Sequence, residues 1–134
     1  MQDRYLFRAK RLDNGQWVQG FICKKKYKSN KFYISCFHDK DDNEQFFAID
    51  PDTICQCTGL KDKNGKLIWE NDIMVAHLDE DYPEDETYIR IVWCGNGFCS
   101  IENGSKDIAP IDKFDSEHFE VCGNIFDNAE LLEE

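Results

Sequence analysis

The chain has 134 residues, with 16 Lys or Arg against 27 Asp or Glu, a formal net charge of −11. That length suits one domain of ordinary size and excludes a long solenoid or a multidomain enzyme. Hydrophobic residues make up 41% of it and aromatics 13%, enough for a packed core, while no run approaches the ~20 apolar residues of a membrane helix.

In chain order, short apolar runs alternate with turn residues, the pattern of a mainly β protein. Residues 5–9 and 17–22 flank Asp13-Asn14-Gly15, whose Asn-Gly pair accepts the positive φ angles of a tight hairpin turn. Phe32–Phe37 and Gln45–Ile49 form a second predicted pair across the polar loop 38–43, and Asp50-Pro51 ends it because proline cannot donate to a ladder. Thr53–Thr58 reads as a strand leading to Gly59. Asp62–Lys66 repeats the Asn-Gly chemistry before the strand Leu67–Trp69, then Glu70-Asn71-Asp72 turns into the strand Ile73–Ala76.

Residues 79–86 hold six acidic side chains in eight and no apolar periodicity, so a mobile, water-facing loop is expected there. Tyr88–Trp93 and Phe98–Ile101 pair around Gly95-Asn96-Gly97. Residues 103–117 read as irregular with one helical turn, and His118–Cys122 alternates as a strand. Asn128 is placed to cap a last short helix over Ala129–Glu133 by accepting from its free amide donors.

Divided along the chain, the charge is lopsided: residues 1–66 carry 13 basic and 9 acidic side chains, net +4, and residues 67–134 carry 3 and 18, net −15. Such a field selects partners by sign, and it sets the second half against duplex DNA. Lys24, Lys25, Lys26, Lys28 and Lys31 around Tyr27 form a basic interaction patch suited to phosphate or an acidic partner. The plainer reading, which is favoured, is a solvated loop that protects a sheet edge.

Seven cysteines, an odd number in a chain able to build its own core, do not form the pattern of a secreted disulfide scaffold, and reduced thiols are expected. The opening Met-Gln-Asp-Arg lacks the apolar stretch of a secretion signal, so a cytoplasmic location is expected. Cys55-x-Cys57 and Cys94-x4-Cys99, with His77 and His118, are the only material for a metal site. Both cysteine pairs sit in apolar strand contexts where Cys serves as a small hydrophobe, so no metal and no cofactor is expected. Cys94, Cys99 and Cys122 lie in acidic sequence, which pushes a thiol's pKa upward and disfavours nucleophilic use. Gly95-Asn96-Gly97 lacks the Lys and helix of a phosphate loop, and residues 79–86 lack the central Gly and a terminal Glu at the spacing of an EF-hand loop.

Two blocks are more specific: Gln-Cys-Thr-Gly-Leu-Lys-Asp-Lys-Asn-Gly-Lys-Leu-Ile-Trp-Glu-Asn-Asp-Ile over residues 56–73, and Glu-Val-Cys-Gly-Asn-Ile-Phe-Asp-Asn-Ala-Glu-Leu-Leu over residues 120–132. Together with Phe7-Arg8-Ala9 they resemble the YopX family of small phage and prophage proteins across nearly the whole chain. The resemblance implies a phage or prophage origin and a single YopX-like domain over residues 1–134. It implies a mainly β fold, with N-terminal β-hairpins over residues 1–57 and a small SH3-like β-barrel with a short C-terminal helix over residues 58–134. It brings no catalytic residue, so no enzymatic activity is expected. The chain departs from the family pattern at Cys57, which stands for an aromatic, at Asn71, which stands for a glycine, and at Ala129, which stands for a proline. Asn is the non-glycine residue that best tolerates a left-handed backbone, so the turn at Asn71 survives.

The function expected is that of a non-enzymatic accessory protein, an interaction module that binds a protein partner or its own copies. Self-association between basic and acidic halves would weaken with salt, since exposed charges are screened within ~8 Å at 0.15 M. The alternative is a nucleic-acid role, either single-strand binding through the Lys24–Lys31 loop with Tyr27, Phe32 and Tyr33, or DNA mimicry by the acidic half. Nucleic acid is the less favoured partner, and no membrane partner is expected.

Overall fold

The computed structural model describes residues 6–24, 32–37, 44–78, 80–82, 84–95, 97–105 and 108–132. The fold is mainly β, with two antiparallel sheets, and the chain divides into two compact units at the Cys57–Thr58 bond.

The first unit is built from β1 (Phe7–Lys10), β2 (Trp17–Lys24), β3 (Phe32–Phe37), β4 (Glu44–Ile49) and the start of β5 (Cys55–Lys61), in the order β4-β3-β2-β1-β5. The Asn14-Gly15 hairpin forms with Lys10 opposite Trp17, but its loop is wider than a two-residue turn. The Arg11 N–H donates to the Gln16 carbonyl at 2.8 Å, and the Asn14 side chain accepts from the Gln16 N–H at 2.9 Å. β2 pairs with β1 up to Gly20 and with β3 from Phe21. Backbones crowd at that change of partner: a Cβ on Gly20 would lie 2.1 Å from the Ser35 carbonyl oxygen, so only glycine fits.

β4 curls back toward the end of β1, where Ile49 bridges Arg11 and the Leu12 N–H donates to the Ala48 carbonyl at 3.0 Å. Ala9, Ile34 and Ile49 are the buried centre, packed by Val18, Ile22, Phe32, Phe47 and Ile54. Thr53, expected to open a strand, instead ends a 3-10 turn over Pro51–Thr53. Its hydroxyl accepts from the Lys10 N–H at 2.8 Å and donates to the Asp50 carbonyl at 2.7 Å, a local bond that competes with a strand ladder.

In the second unit β5 continues and pairs with β6 (Leu67–Trp69). β7 (Asp72–Ala76), β8 (Thr87–Trp93), β9 (Phe98–Glu102), β10 (Ile108–Pro110) and β11 (Glu120–Asn124) form an antiparallel sheet in the order β10-β9-β8-β7-β11. Ile68, Met74, Ala76, Ile89, Ile91 and Phe119 make its core. The expected SH3-like barrel is not closed, because β10 and β11 are the two edges of an open sheet among the described residues. β10 ends at Pro110 after three residues, and a residue without an N–H cannot extend a ladder.

The chain instead enters α1 (Lys113–His118), started by a capping box. The Asp112 carboxylate accepts from the Asp115 N–H at 3.1 Å, and the Asp115 carboxylate from the Asp112 N–H at 3.3 Å. α1 is the helical turn expected within residues 103–117, while β10 falls in the part read as irregular, too short to leave a periodic signal. His118 closes α1 instead of opening the last strand, and β11 begins at Glu120. The C-terminal segment is a 3-10 turn over Ala129–Leu132. Asn128 does not cap it as expected, since its side-chain oxygen accepts from the Asn124 N–H at 3.2 Å.

Residues 58–73 and 120–132 knit together. Asp62, 6% exposed, accepts from the N–H groups of Asn64 at 2.9 Å and Lys66 at 2.8 Å with one carboxylate oxygen, and from the Val121 N–H at 2.9 Å with the other. The Asn64 amide donates to Glu120 at 2.9 Å. Asn71 adopts φ 69°, as the glycine it stands for would, and its carbonyl accepts from the Ile125 N–H at 3.1 Å. Buried Asp72 completes the turn by accepting from the Trp69 N–H at 2.8 Å.

Candidate interaction surface

The capping box and open edge described above create a groove of about 320 Å³ in the second unit. Ile89 and Phe119 of the core lie at its base, Leu78 and Phe114 line it, and Asp115, Glu102, Ser100 and Ala109 complete most of the wall. Leu78, just past β7, is 40% exposed and Phe114, on α1, 49% exposed. Phe114 is held in that position by stacking on His118, with ring centroids 4.1 Å apart and planes 20° apart. The His118 Nδ1 lies 2.9 Å from the Phe114 carbonyl, fixing the ring across one helical turn. The Ser116 hydroxyl, on the same helix, donates to the Lys61 carbonyl.

The electrostatics of this surface are acidic. Residues 58–134 carry 6 basic and 19 acidic side chains, net −13. Burial pushes the Asp115 carboxyl up, the hydrogen bond with the Asp112 backbone pulls it down, and the Asp112 charge pushes it up again. The acidic stretch faces water as expected, with Glu80, Asp81, Tyr82, Glu84, Asp85 and Glu86 all exposed. The signal for the groove was absent from the sequence because Phe114 and Leu78 sit in unpatterned segments that only the fold brings together.

Of the basic patch, Lys24 ends β2, and Lys25, Lys26, Tyr27, Lys28 and Lys31 lie outside the described residues. The described cations of β1 are tied to rings instead. The Arg8 guanidinium lies 4.8 Å and the Lys10 ammonium 5.5 Å from the Trp17 ring centroid. Arg11 sits 4.4 Å from the Phe47 centroid and is gripped by Asp13 at 2.6 and 2.9 Å.

Cys55 and Cys57 are fully buried on one face of β5, and the Cys55 thiol donates to the Thr53 carbonyl at 3.3 Å. Among the described residues no three His, Cys, Asp or Glu side chains converge as a metal would need. The thiols of Cys94 and Cys122 are both raised, but acidic neighbours are not the main cause. A hydrogen bond with Cys99 comes first for Cys94, and burial comes first for Cys122, with Glu120, Glu86 and Asp72 adding less.

The family model described as YopX protein matches residues 6–133. No curated protein matches the chain in sequence. Among solved structures, the crystal structure of protein EF1440 from Enterococcus faecalis is similar, with a TM-score of 0.54 and 23% identity over 95% of this chain and 96% of that one. At that identity the likeness speaks for the fold alone.

Proposed function

The chain belongs to the YopX family, and from that premise we propose that it is a non-enzymatic interaction module whose second unit docks a protein segment. The observation that carries this reading is the groove lined by Leu78 and Phe114, part apolar and part polar, in a unit of net −13. Its occupant is a segment of a partner protein with one large apolar side chain flanked by Lys or Arg. The apolar anchor fills the slot against Ile89 and Phe119, and the flanking cations meet Asp115 and Glu102. Phage or prophage origin and action in a host cytoplasm rest on the resemblance of the two sequence blocks to that family.

Selection of random peptides displayed on a carrier tests this, using the full chain as bait and Phe114→Glu as counter-selection bait. The expected consensus is an aromatic or large aliphatic residue with Lys or Arg within a few positions, and binding that weakens with salt. Selected peptides that bind Phe114→Glu equally well, or that carry acidic flanks, overturn the proposal. Tight retention of single-stranded oligonucleotides with no peptide consensus would move the function to the alternative class.

A further inference from the structure

The β8–β9 hairpin carries two thiols on one face. β8 and β9 run antiparallel with Trp93 opposite Phe98 and Val92 opposite Cys99, and the Cys94 N–H donates to the Gly97 carbonyl at 2.9 Å to close the turn. Side chains alternate across a strand, so Cys94 and Cys99 share one face of the ribbon while Trp93 and Phe98 share the other. The two aromatic rings meet edge-on with centroids 5.0 Å apart. On the opposite face Cys94 stands across from Gly97 and diagonally from Cys99, and the Cys99 thiol is the first cause of the rise in the Cys94 thiol. Cys99 is buried and Cys94 is half-buried. Nothing stands within 4 Å of where a Cβ on Gly95 or Gly97 would sit, so these two glycines face open space.

We propose that Cys94 and Cys99 are a modification site, the two halves of a reversible disulfide that staples the β8–β9 hairpin. Diagonal neighbours on one face of a ribbon are within reach of each other's side chains, so rotation about χ1 with a small approach of the strands brings the two sulfurs to bonding distance. The oxidant is a small-molecule disulfide of the glutathione class. The Cys94 thiolate attacks one of its sulfurs and releases one glutathione as thiolate. The Cys99 thiolate then attacks the Cys94 sulfur of the mixed disulfide and releases the second glutathione. Two protein S–H bonds are lost and one S–S bond is formed, and the two protons end on the two glutathione thiols. The protein is oxidised by two electrons and the glutathione disulfide is reduced. The ring closed is short, so it removes little chain entropy and remains open to reduction by the same pool. Its raised thiol makes Cys94 a slow nucleophile at neutral pH, and closure accelerates as pH rises.

The test uses the full chain in glutathione buffers of increasing oxidised fraction, quenched with a thiol-alkylating label and digested with trypsin. One tryptic peptide, residues 91–106, contains both cysteines. The expected result is that this peptide loses both labels together and weighs two hydrogens less than its unlabelled reduced form. Dithiothreitol should restore both labels, and Cys122→Ser should leave the change intact. A peptide that keeps both labels while Cys122 becomes glutathionylated overturns the proposal. So does one that stops at a single glutathione adduct, or a cross-link from Cys94 to any other cysteine. Cys94→Ser should leave Cys99 labelled throughout; should that variant not fold, the wild-type mapping decides alone.

Discussion

Replacing Asp62 tests whether the joint between residues 58–73 and β11 holds the second unit together. Its carboxylate is 6% exposed and accepts three backbone N–H bonds, from Asn64, Lys66 and Val121 at 2.9, 2.8 and 2.9 Å. Bonds to a charged acceptor contribute about 1.5–3 kcal/mol each, but the donors do not lose equally. Asn64 and Lys66 are exposed, so their N–H groups recover water and about 1 kcal/mol each is lost. The Val121 N–H lies against Asp62 in a part-buried setting, and orphaning it costs about 1–3 kcal/mol.

Asp62→Ala should therefore destabilise the protein by about 3–5 kcal/mol. Asp62→Asn keeps one acceptor for the loop but turns its amide donors toward the Val121 N–H, and should cost about 2–3 kcal/mol. Urea denaturation followed by tryptophan fluorescence measures both, and amide exchange at Val121 should accelerate in each. A loss under about 0.5 kcal/mol in Asp62→Ala, with Val121 protection unchanged, would refute the assignment of this carboxylate as the pin.

Three further outcomes follow from local geometry. Asn71→Ala should cost about 1–2 kcal/mol because it forces an ordinary side chain to φ 69°, and Asn71→Gly should recover most of that in the same denaturation assay. Gly123→Ala places a Cβ 2.5 Å from the Asn128 side-chain oxygen and 2.8 Å from its Cβ, so a loss of about 1–3 kcal/mol is expected. In an Asn128→Ala background the same change should cost much less, a coupling that a double-mutant cycle reads directly. Asp115 is raised above its ordinary 3.8 by burial, so its ionised form works against folding above the raised value and this penalty is absent below 3.8. Asp115→Asn should accordingly be more stable than the wild type at neutral pH, with the advantage vanishing as pH falls through that window in thermal melts.

Strands bounded by turn residues could be read directly from the chain: β3 and β6 begin and end where Phe32–Phe37 and Leu67–Trp69 suggested. The positive φ at Asn71 was legible for the same reason, because a residue type reports its own backbone. Legibility failed where a few residues act through distant partners. Pro110 ends an edge strand of three residues, too short to repeat a pattern, and the helical turn expected in residues 103–117 had no position until the Asp112 capping box set its start. Asn128 looked like a helix cap because nothing in sequence reveals that Gly123 leaves room for its side chain to turn back toward Asn124. The Cys94–Cys99 spacing was visible, but its meaning depended on strand register, which places the two thiols on one face.

The residues of the two blocks that resemble the family and those that line the groove are different sets. Asp62, Asn64, Asn71, Asp72, Gly123 and Asn128 lie within residues 56–73 and 120–132, and each makes or permits a hydrogen bond that ties β5, β7 and β11 to the turns between them. Leu78, Ile89, Ala109, Phe114, Asp115 and Phe119 line the groove from positions between those blocks. A loop whose polar groups must satisfy several backbone donors at once tolerates few substitutions, since each leaves a buried donor unpaired. A groove wall open to solvent carries no such requirement and can change shape and charge while the joint persists. Likeness in the joint therefore speaks for a shared scaffold, and under the proposed function the intervening groove residues select the partner. Phe114 and Leu78 are the positions where variation should alter what is bound without altering whether the second unit folds, which the peptide consensus selected on Phe114→Glu and wild type separates from the stability loss at Asp62.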